Sequence, residues 1–216
     1  MLFQRNLPIK TIQEYRLLDK SIVWFEKRSE YTPRRNSNMS KYLISDLHLG
    51  DKHYLEKLKE RQNISLTPRQ HCELLINNCN NVLRKGKDSL YILGDVTIGY
   101  VNKEMMRFFR RVKCSKFLIA GNHDNDCVIK ILRKYGFIQA MYGCFELEGY
   151  ILTHIPVITT EINGIDRKYY KGNIHGHIHD KEKQDLLDST LYYNVCANMN
   201  DFTPVDFEYI KEQLGK

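Results

Sequence analysis

The sequence predicts an α/β fold in a single main domain with an N-terminal extension, on three observations. From Lys41 onward, short apolar stretches of strand length alternate with segments of helical periodicity. Each of those stretches runs directly into carboxylate, amide or imidazole side chains. The hydrophobic fraction, 42% of 216 residues, is enough for a sizeable core.

The elements follow in order. Ile12, Tyr15, Leu18, Ile22 and Phe25 recur at three- and four-residue steps, which predicts an amphipathic helix near the start of the chain. The polar stretch 32–38 reads as a linker. Residues 1–38 are therefore an appended element expected to dock on the main domain or on a partner, and 39–216 form the main domain. Strands are expected over 42–45, 90–93, 116–120, 150–153 and 173–175. Between the first two lies a long loop, 50–66, followed by a helix from Pro68 to Leu83 with Thr67 as its N-cap. Further helices are expected over 101–112 and 126–135, the latter stopped by Gly136.

Charge and cysteine usage narrow the class. Four of the seven net positive charges fall in residues 1–38, which leaves +3 for the main domain. That excess fits a solvated basic surface better than a dedicated nucleic-acid face. Arg61 and Lys52, in the long loop, read equally well as phosphate contacts or as solvated charge. No apolar run approaches membrane-spanning length and no stretch has the order of a secretory signal, so a soluble cytoplasmic protein is expected, with no membrane partner. The six cysteines include no CxxC pair and are expected as free thiols, with Cys114, Cys144 and Cys196 in the core.

The chemistry lies at the strand ends, where rigid strands aim side chains and loops stay free of ladder pairing. Asp46 and His48, two residues apart, would share one side of an extended segment and converge on an ion; alone, the pair is equally a strand-end polar cluster. Asp95 follows Gly94, and its two oxygens could bridge two cations, although Gly-Asp is also a common turn. In Gly121-Asn122-His123-Asp124, Asn122 offers a neutral oxygen ligand and His123 a proton, with Asp124 placed to hold its second nitrogen; the alternative is a left-handed turn before the next helix. His154 follows an apolar strand, where a lone histidine is often a core residue. His177 and His179 again share parity, while His175 reads as structural or supporting. Six of the eight histidines fall in these motifs, and imidazole, carboxylate and amide ligands without thiolates suit Mn, Fe, Zn or Ni.

Taken in order, Asp46-Leu47-His48, Gly94-Asp95, Gly121-Asn122-His123-Asp124, His154 and Gly176-His177-Ile178-His179 resemble the calcineurin-like metallophosphoesterase superfamily, in particular its small bacterial and phage members. The resemblance covers 41–179 and implies a four-layer α/β/β/α sandwich with two divalent metal ions, Mn foremost and Fe, Zn or Ni as alternatives. It implies that Asp46, His48 and His179 hold one metal, that Asn122, His154 and His177 hold the other, and that Asp95 bridges them. His123 would then serve the leaving group and Asp124 would orient His123. The implied activity is hydrolysis of a phosphomonoester, phosphodiester or small nucleotide by a metal-bridging hydroxide attacking in line. A nuclease, or a non-catalytic binding module on the same fold, stands as the alternative. The second motif lacks the Arg, and the third lacks the Glu, of the Ser/Thr protein phosphatases, which argues against that activity. Asp51 stands where many small relatives have histidine.

Overall fold

The computed structural model describes residues 12–16, 22–26, 39–158 and 170–215. The chain divides into two compact units, 1–35 and 36–216. In the first, β1 (Ile12–Arg16) and β2 (Ile22–Glu26) pair antiparallel, with Glu14 opposite Trp24. These strands replace the expected amphipathic helix. The three- and four-residue spacing was satisfied, but Ile22-Val23-Trp24-Phe25 is β-branched and aromatic, which favours a pleated strand. The linker at 32–38 lies outside the described residues.

The second unit is built on two sheets. The larger has the order β11-β3-β4-β5-β6, formed by Val205–Asp206, Lys41–Ile44, Ser89–Ile92, Ser115–Ile119 and Ala140–Tyr142. Strands β3 to β6 are mutually parallel and β11 is an antiparallel edge. The smaller sheet has the order β10-β9-β8-β7, formed by Tyr192–Asn194, Gly172–His175, Tyr150–Leu152 and Phe145–Leu147, with β8, β9 and β10 parallel.

Residue parity explains the layering. Leu43, Tyr91, Leu93 and Ile119 of the large sheet pack against Leu147, Tyr150, Leu152 and Ile174 of the small one in a single core cluster. The opposite-parity residues Ile44, Leu90, Ile92 and Leu118 are also fully buried, so the outer face of the large sheet is covered as well. Helices α2 (Pro68–Val82) and α3 (Lys103–Arg111) pack on each other and bury Cys72, Leu75, Ile76, Met105 and Phe108. Helix α4 (Asp126–Lys134), the short α5 (Lys181–Gln184) and the C-terminal α6 (Phe207–Leu214) complete the helical set, α6 packing on β10, β11 and β3. This is the layered α/β sandwich the resemblance implies.

The caps follow the sequence. Thr67 and Gln70 form a reciprocal capping box with Pro68 in the first turn, and Asn102 and Asn125 cap α3 and α4. Two readings are corrected. The expected loop 50–66 contains a helix, α1 (Lys52–Gln62), capped by Asp51, whose carboxylate accepts the Tyr54 amide at 3.1 Å. It buries only Tyr54, Leu55 and Leu58, so its apolar signal was nearly hidden by charge. Cys144 is exposed rather than in the core, because it lies in the turn that carries the chain from β6 of the large sheet to β7 of the small one; Cys72, Cys79 and Cys196 are the buried thiols, and Cys114 is half-buried. Among the described residues no helix is long and apolar enough to cross a membrane.

His71, on α2, is fully buried against Tyr54 and Phe202, with neither ring nitrogen hydrogen-bonded among the described residues. Burial, with the nearby His48 charge adding to it, pushes its pKa down to about 3. The unfolded chain therefore binds this proton more readily, and stability rises with pH between about 3 and the ordinary value near 6.5. Between pH 7 and pH 5 the metal-free protein should lose about 2 kcal/mol through this residue. Urea titrations at the two pH values should show the loss reduced in His71→Gln, and an unchanged loss would contradict the assignment.

Candidate metal centre

Parallel pairing sends the C-terminal ends of β3, β4 and β5 to one edge of the large sheet, and those of β8, β9 and β10 to one edge of the small sheet. The candidate residues are carried there. Asp46 and His48 follow β3, Asp95 follows β4, Asn122 and His123 follow β5, His154 follows β8, and His177 and His179 follow β9. The loops are laced together by backbone bonds: the Asp46 amide donates to Gly94 O at 3.0 Å, His48 to Asp95 O at 3.0 Å, and Gly176 to His154 O at 2.9 Å. Close approach needs glycine. A Cβ on Gly94 would lie 2.5 Å from Gly121 Cα and 2.7 Å from His154 Nδ1, and one on Gly176 would overlap Ser45 Oγ and Asp46 Oδ2.

The side chains converge in two groups, Asp46–His48–His179 and Asp95–His154–His177, each with ligand atoms within 4.8 Å of one another. In the first, His179 Nε2 is 3.2 Å and His48 Nε2 3.8 Å from Asp46 Oδ1. In the second, His154 Nε2 is 3.3 Å from Asp95 Oδ2, 2.9 Å from Asn122 Oδ1 and 3.2 Å from His177 Nδ1. Asp95 Oδ2 also lies 3.9 Å from His48 Nε2, so it faces both groups. The pairs do not arise from extended parity as expected. Asp46, His48, Asp95 and His177 all have left-handed backbones, with φ of 57°, 39°, 53° and 68°. Such conformations cost non-glycine residues about 1–3 kcal/mol each and concentrate at functional sites.

Hydrogen bonds fix which atoms face inward. Asp46 Oδ2 accepts from Ser45 Oγ, from Cys196 Sγ at 3.0 Å and from the His177 amide at 2.8 Å, whereas Asp46 Oδ1 is buried with no hydrogen bond among the described residues. His154 Nδ1 donates to Leu93 O at 2.8 Å, which turns Nε2 toward Asp95. His179 Nδ1 donates to Asn198 Oδ1 at 2.9 Å, and Asn198 Nδ2 donates to His179 O at 3.0 Å. Both ring nitrogens of His48 lack a hydrogen bond, with Nδ1 3.3 Å from Asp51 Oδ2. A buried carboxylate oxygen and imidazole nitrogens turned toward one point without proton donors between them are what a divalent cation would complete, so the residues fit a metal.

Electrostatics agree. Burial raises the cost of the Asp46 charge, yet the His179 and His48 rings facing it hold its pKa well below the carboxylate range. Burial likewise opposes a charge on His48, but Asp46, Asp51 and Asp95 lift it to about 9. His154 is raised against burial by Asp95, while burial and the His154 charge lower His177.

Not every expectation is met. Asp124 does not hold His123: its carboxylate accepts the amides of Asp95 and Gly121 at 2.9 Å and of Val96 at 3.0 Å, fastening the β4 loop to the β5 loop. The turn that follows Asn122 directs it to backbone rather than to its neighbour's ring. His123 is 41% exposed with Nε2 4.0 Å from Asp95 Oδ2. His175 is buried, bonded to Gly176 O at 2.8 Å, and belongs to neither group, as its structural reading requires. The cleft over the centre is lined by Lys57 and Arg61 of α1, but Lys52 is not part of it. No sequence motif assigns Asn198, Ser45 and Tyr54 to the site, and Cys196 reads there only as a core thiol. Their only signal is adjacency: Ser45 beside Asp46, and Cys196 and Asn198 just past the end of β10.

Two sheets delivering imidazole and carboxylate groups from their strand ends to one paired cluster define a layered α/β protein with a candidate metal centre. The calcineurin-like phosphoesterase family matches residues 39–199, and the chain belongs to that family. No functionally curated protein matches the sequence. The chain is also similar to the crystal structure of AQ665 from Aquifex aeolicus, described as a protein of unknown function, at 25% identity and a TM-score of 0.62, covering 81% of this chain and 99% of that one.

Two outcomes follow from the ring geometry. Asn198→Ala should weaken Mn²⁺ binding about 10–100-fold by freeing the His179 ring, as read by calorimetry. At pH 7 the metal-free His48 carries a proton it must release to bind a cation, so affinity should fall as pH is lowered. Titrations in buffers of different ionisation heat should show proton release that shrinks in His48→Gln; no release in the native protein would contradict the assignment.

Proposed function

We propose that this chain is a dinuclear metal-dependent hydrolase of phosphoester bonds, acting on a phosphomonoester, a phosphodiester or a small nucleotide. The observation that carries the reading is the position of Asp95 Oδ2, 3.3 Å from His154 and 3.9 Å from His48, facing both groups at once. Asp46, His48 and His179 would hold one cation, Asn122, His154 and His177 the other, and Asp95 would touch both. When bound, a pair of divalent cations supplies Lewis-acid stabilisation of the phosphoryl oxygens and an activated water. Mn²⁺ is the first choice, with Fe, Zn or Ni as alternatives, because the inward donors are nitrogen and oxygen. The Cys196 thiol donates to Asp46, and burial raises its pKa well above the ordinary value, so it stays protonated and away from metal ligation.

The chain's own groups do the remainder. His123, exposed at the mouth of the centre and close to Asp95, is placed to protonate the leaving oxygen. Asp124 acts indirectly, by holding the Asp95 and Gly121 amides that set the two loops in register. Residues 39–216 would constitute the catalytic domain and residues 1–38 an appended element.

Purified protein should hydrolyse p-nitrophenyl phosphate with Mn²⁺, lose activity on chelation and regain it on metal return. Asp95→Asn should abolish turnover; activity indifferent to both treatments would end this reading. His123→Ala should lower kcat by about 10²–10⁴ on an alkyl phosphate and less on p-nitrophenyl phosphate, whose leaving group needs no proton. Equal losses on the two substrates would remove His123 from the acid role.

A further inference from the structure

Helix α1 forms one wall of the cleft above the candidate ligands. His53, Lys57 and Arg61 follow one another every four residues and all line that cleft, together with His123 and His179. Four residues advance a helix by about 6 Å, so these side chains form a row on one face. Lys52 and Lys59 belong to the same helix and are exposed, but they do not line the cleft.

The row is held in register with the centre. Asp51 caps the helix and lies 3.3 Å from His48 Nδ1, and Tyr54 stacks on the His48 ring with centroids 4.5 Å apart. Leu55 and Leu58 are buried behind it. At the far end Arg61 Nη1 is 3.9 Å from Asp180 Oδ2, the residue after His179. Lys57 makes no hydrogen bond or ion pair among the described residues. Across the cleft Ile98 offers a partly exposed apolar surface. Among the described residues Lys57 has no counter-charge and Arg61 has only the long contact to Asp180, and cations so placed at the rim of such a cleft suit a second anionic group.

We propose that Lys57 and Arg61 form a subsite for a second phosphate, so that the favoured substrate carries a phosphate beyond the one presented to the metal ligands. The inference rests on the phosphoesterase reading above. The second phosphate could be joined by an anhydride, as in a nucleoside diphosphate, or through a sugar, as in an oligonucleotide.

Calorimetry on the full-length, Mn²⁺-loaded protein, with hydrolysis-resistant analogues of AMP, ADP and the dinucleotide pApA, tests this. The ADP or the pApA analogue should bind about tenfold or more tighter than the AMP analogue, a gain typical of charge-assisted contacts. The ligand showing the advantage identifies the linkage. In Lys57→Gln/Arg61→Gln the advantage should fall to within about twofold, while Lys52→Gln/Lys59→Gln retains it. Equal binding of all three analogues to the native protein, or an advantage that survives in Lys57→Gln/Arg61→Gln, would overturn the proposal. Because affinity is read without turnover, a protein inactive toward both p-nitrophenyl and bis-p-nitrophenyl phosphate would refute the hydrolase reading and leave this result separately interpretable. The substituted side chains are exposed, and matching melting curves would confirm that the variants fold.

Discussion

Asp46 is fully buried, and the two oxygens of its carboxylate have opposite fates. Oδ2 is saturated by Ser45 Oγ, Cys196 Sγ and the His177 amide, while Oδ1 faces His179 and His48 without a hydrogen bond. A buried charge is tolerated only where its surroundings answer it. Here the answering groups come from the end of β3, the loop after β9 and the end of β10, so one carboxylate ties the large sheet to the small one. The close fit of Gly176 over Ser45 and Asp46 belongs to the same contact. Breaking it would leave a buried anion exposed to nothing that compensates it.

The left-handed backbones at Asp46, His48, Asp95 and His177 run against local preference, and their combined cost is several kcal/mol. The structure holds them by over-determination. The Asp46 and His48 amides bond to the β4 loop, Asp124 gathers three amides from the loops after β4 and β5, and His177 donates to Asp46. Strain concentrated where ligand atoms converge, and offset by backbone bonding around it, is the pattern expected of a site shaped for chemistry rather than for stability.

Much of this was legible in the sequence because parallel strands buried on both faces read as short continuous apolar runs, and the polar residues that end them are conspicuous. Strands β3, β4, β5, β8 and β9 follow from that contrast, and the start of α2 from the Thr67 cap with Pro68 in the first turn. The misreadings have physical causes. Helix α1 is mostly charged and buries three side chains, so it resembled a loop. Adjacency pairs Asp124 with His123, whereas the turn directs its carboxylate to backbone amides. His177 and His179 join different groups, as the resemblance implies, but the shared parity of an extended segment does not hold, because His177 has a positive φ. Asn198 could not be anticipated, since its role depends on β10 pairing beside β9, a contact with no local signature.

The two groups should each hold a cation with Asp95 between them. Anomalous diffraction from Mn²⁺-loaded crystals tests this most directly. Two peaks about 3.5–4 Å apart are predicted, one among Asp46, His48 and His179, the other among Asn122, His154 and His177, both in contact with Asp95. A single peak, or peaks away from these residues, would contradict it.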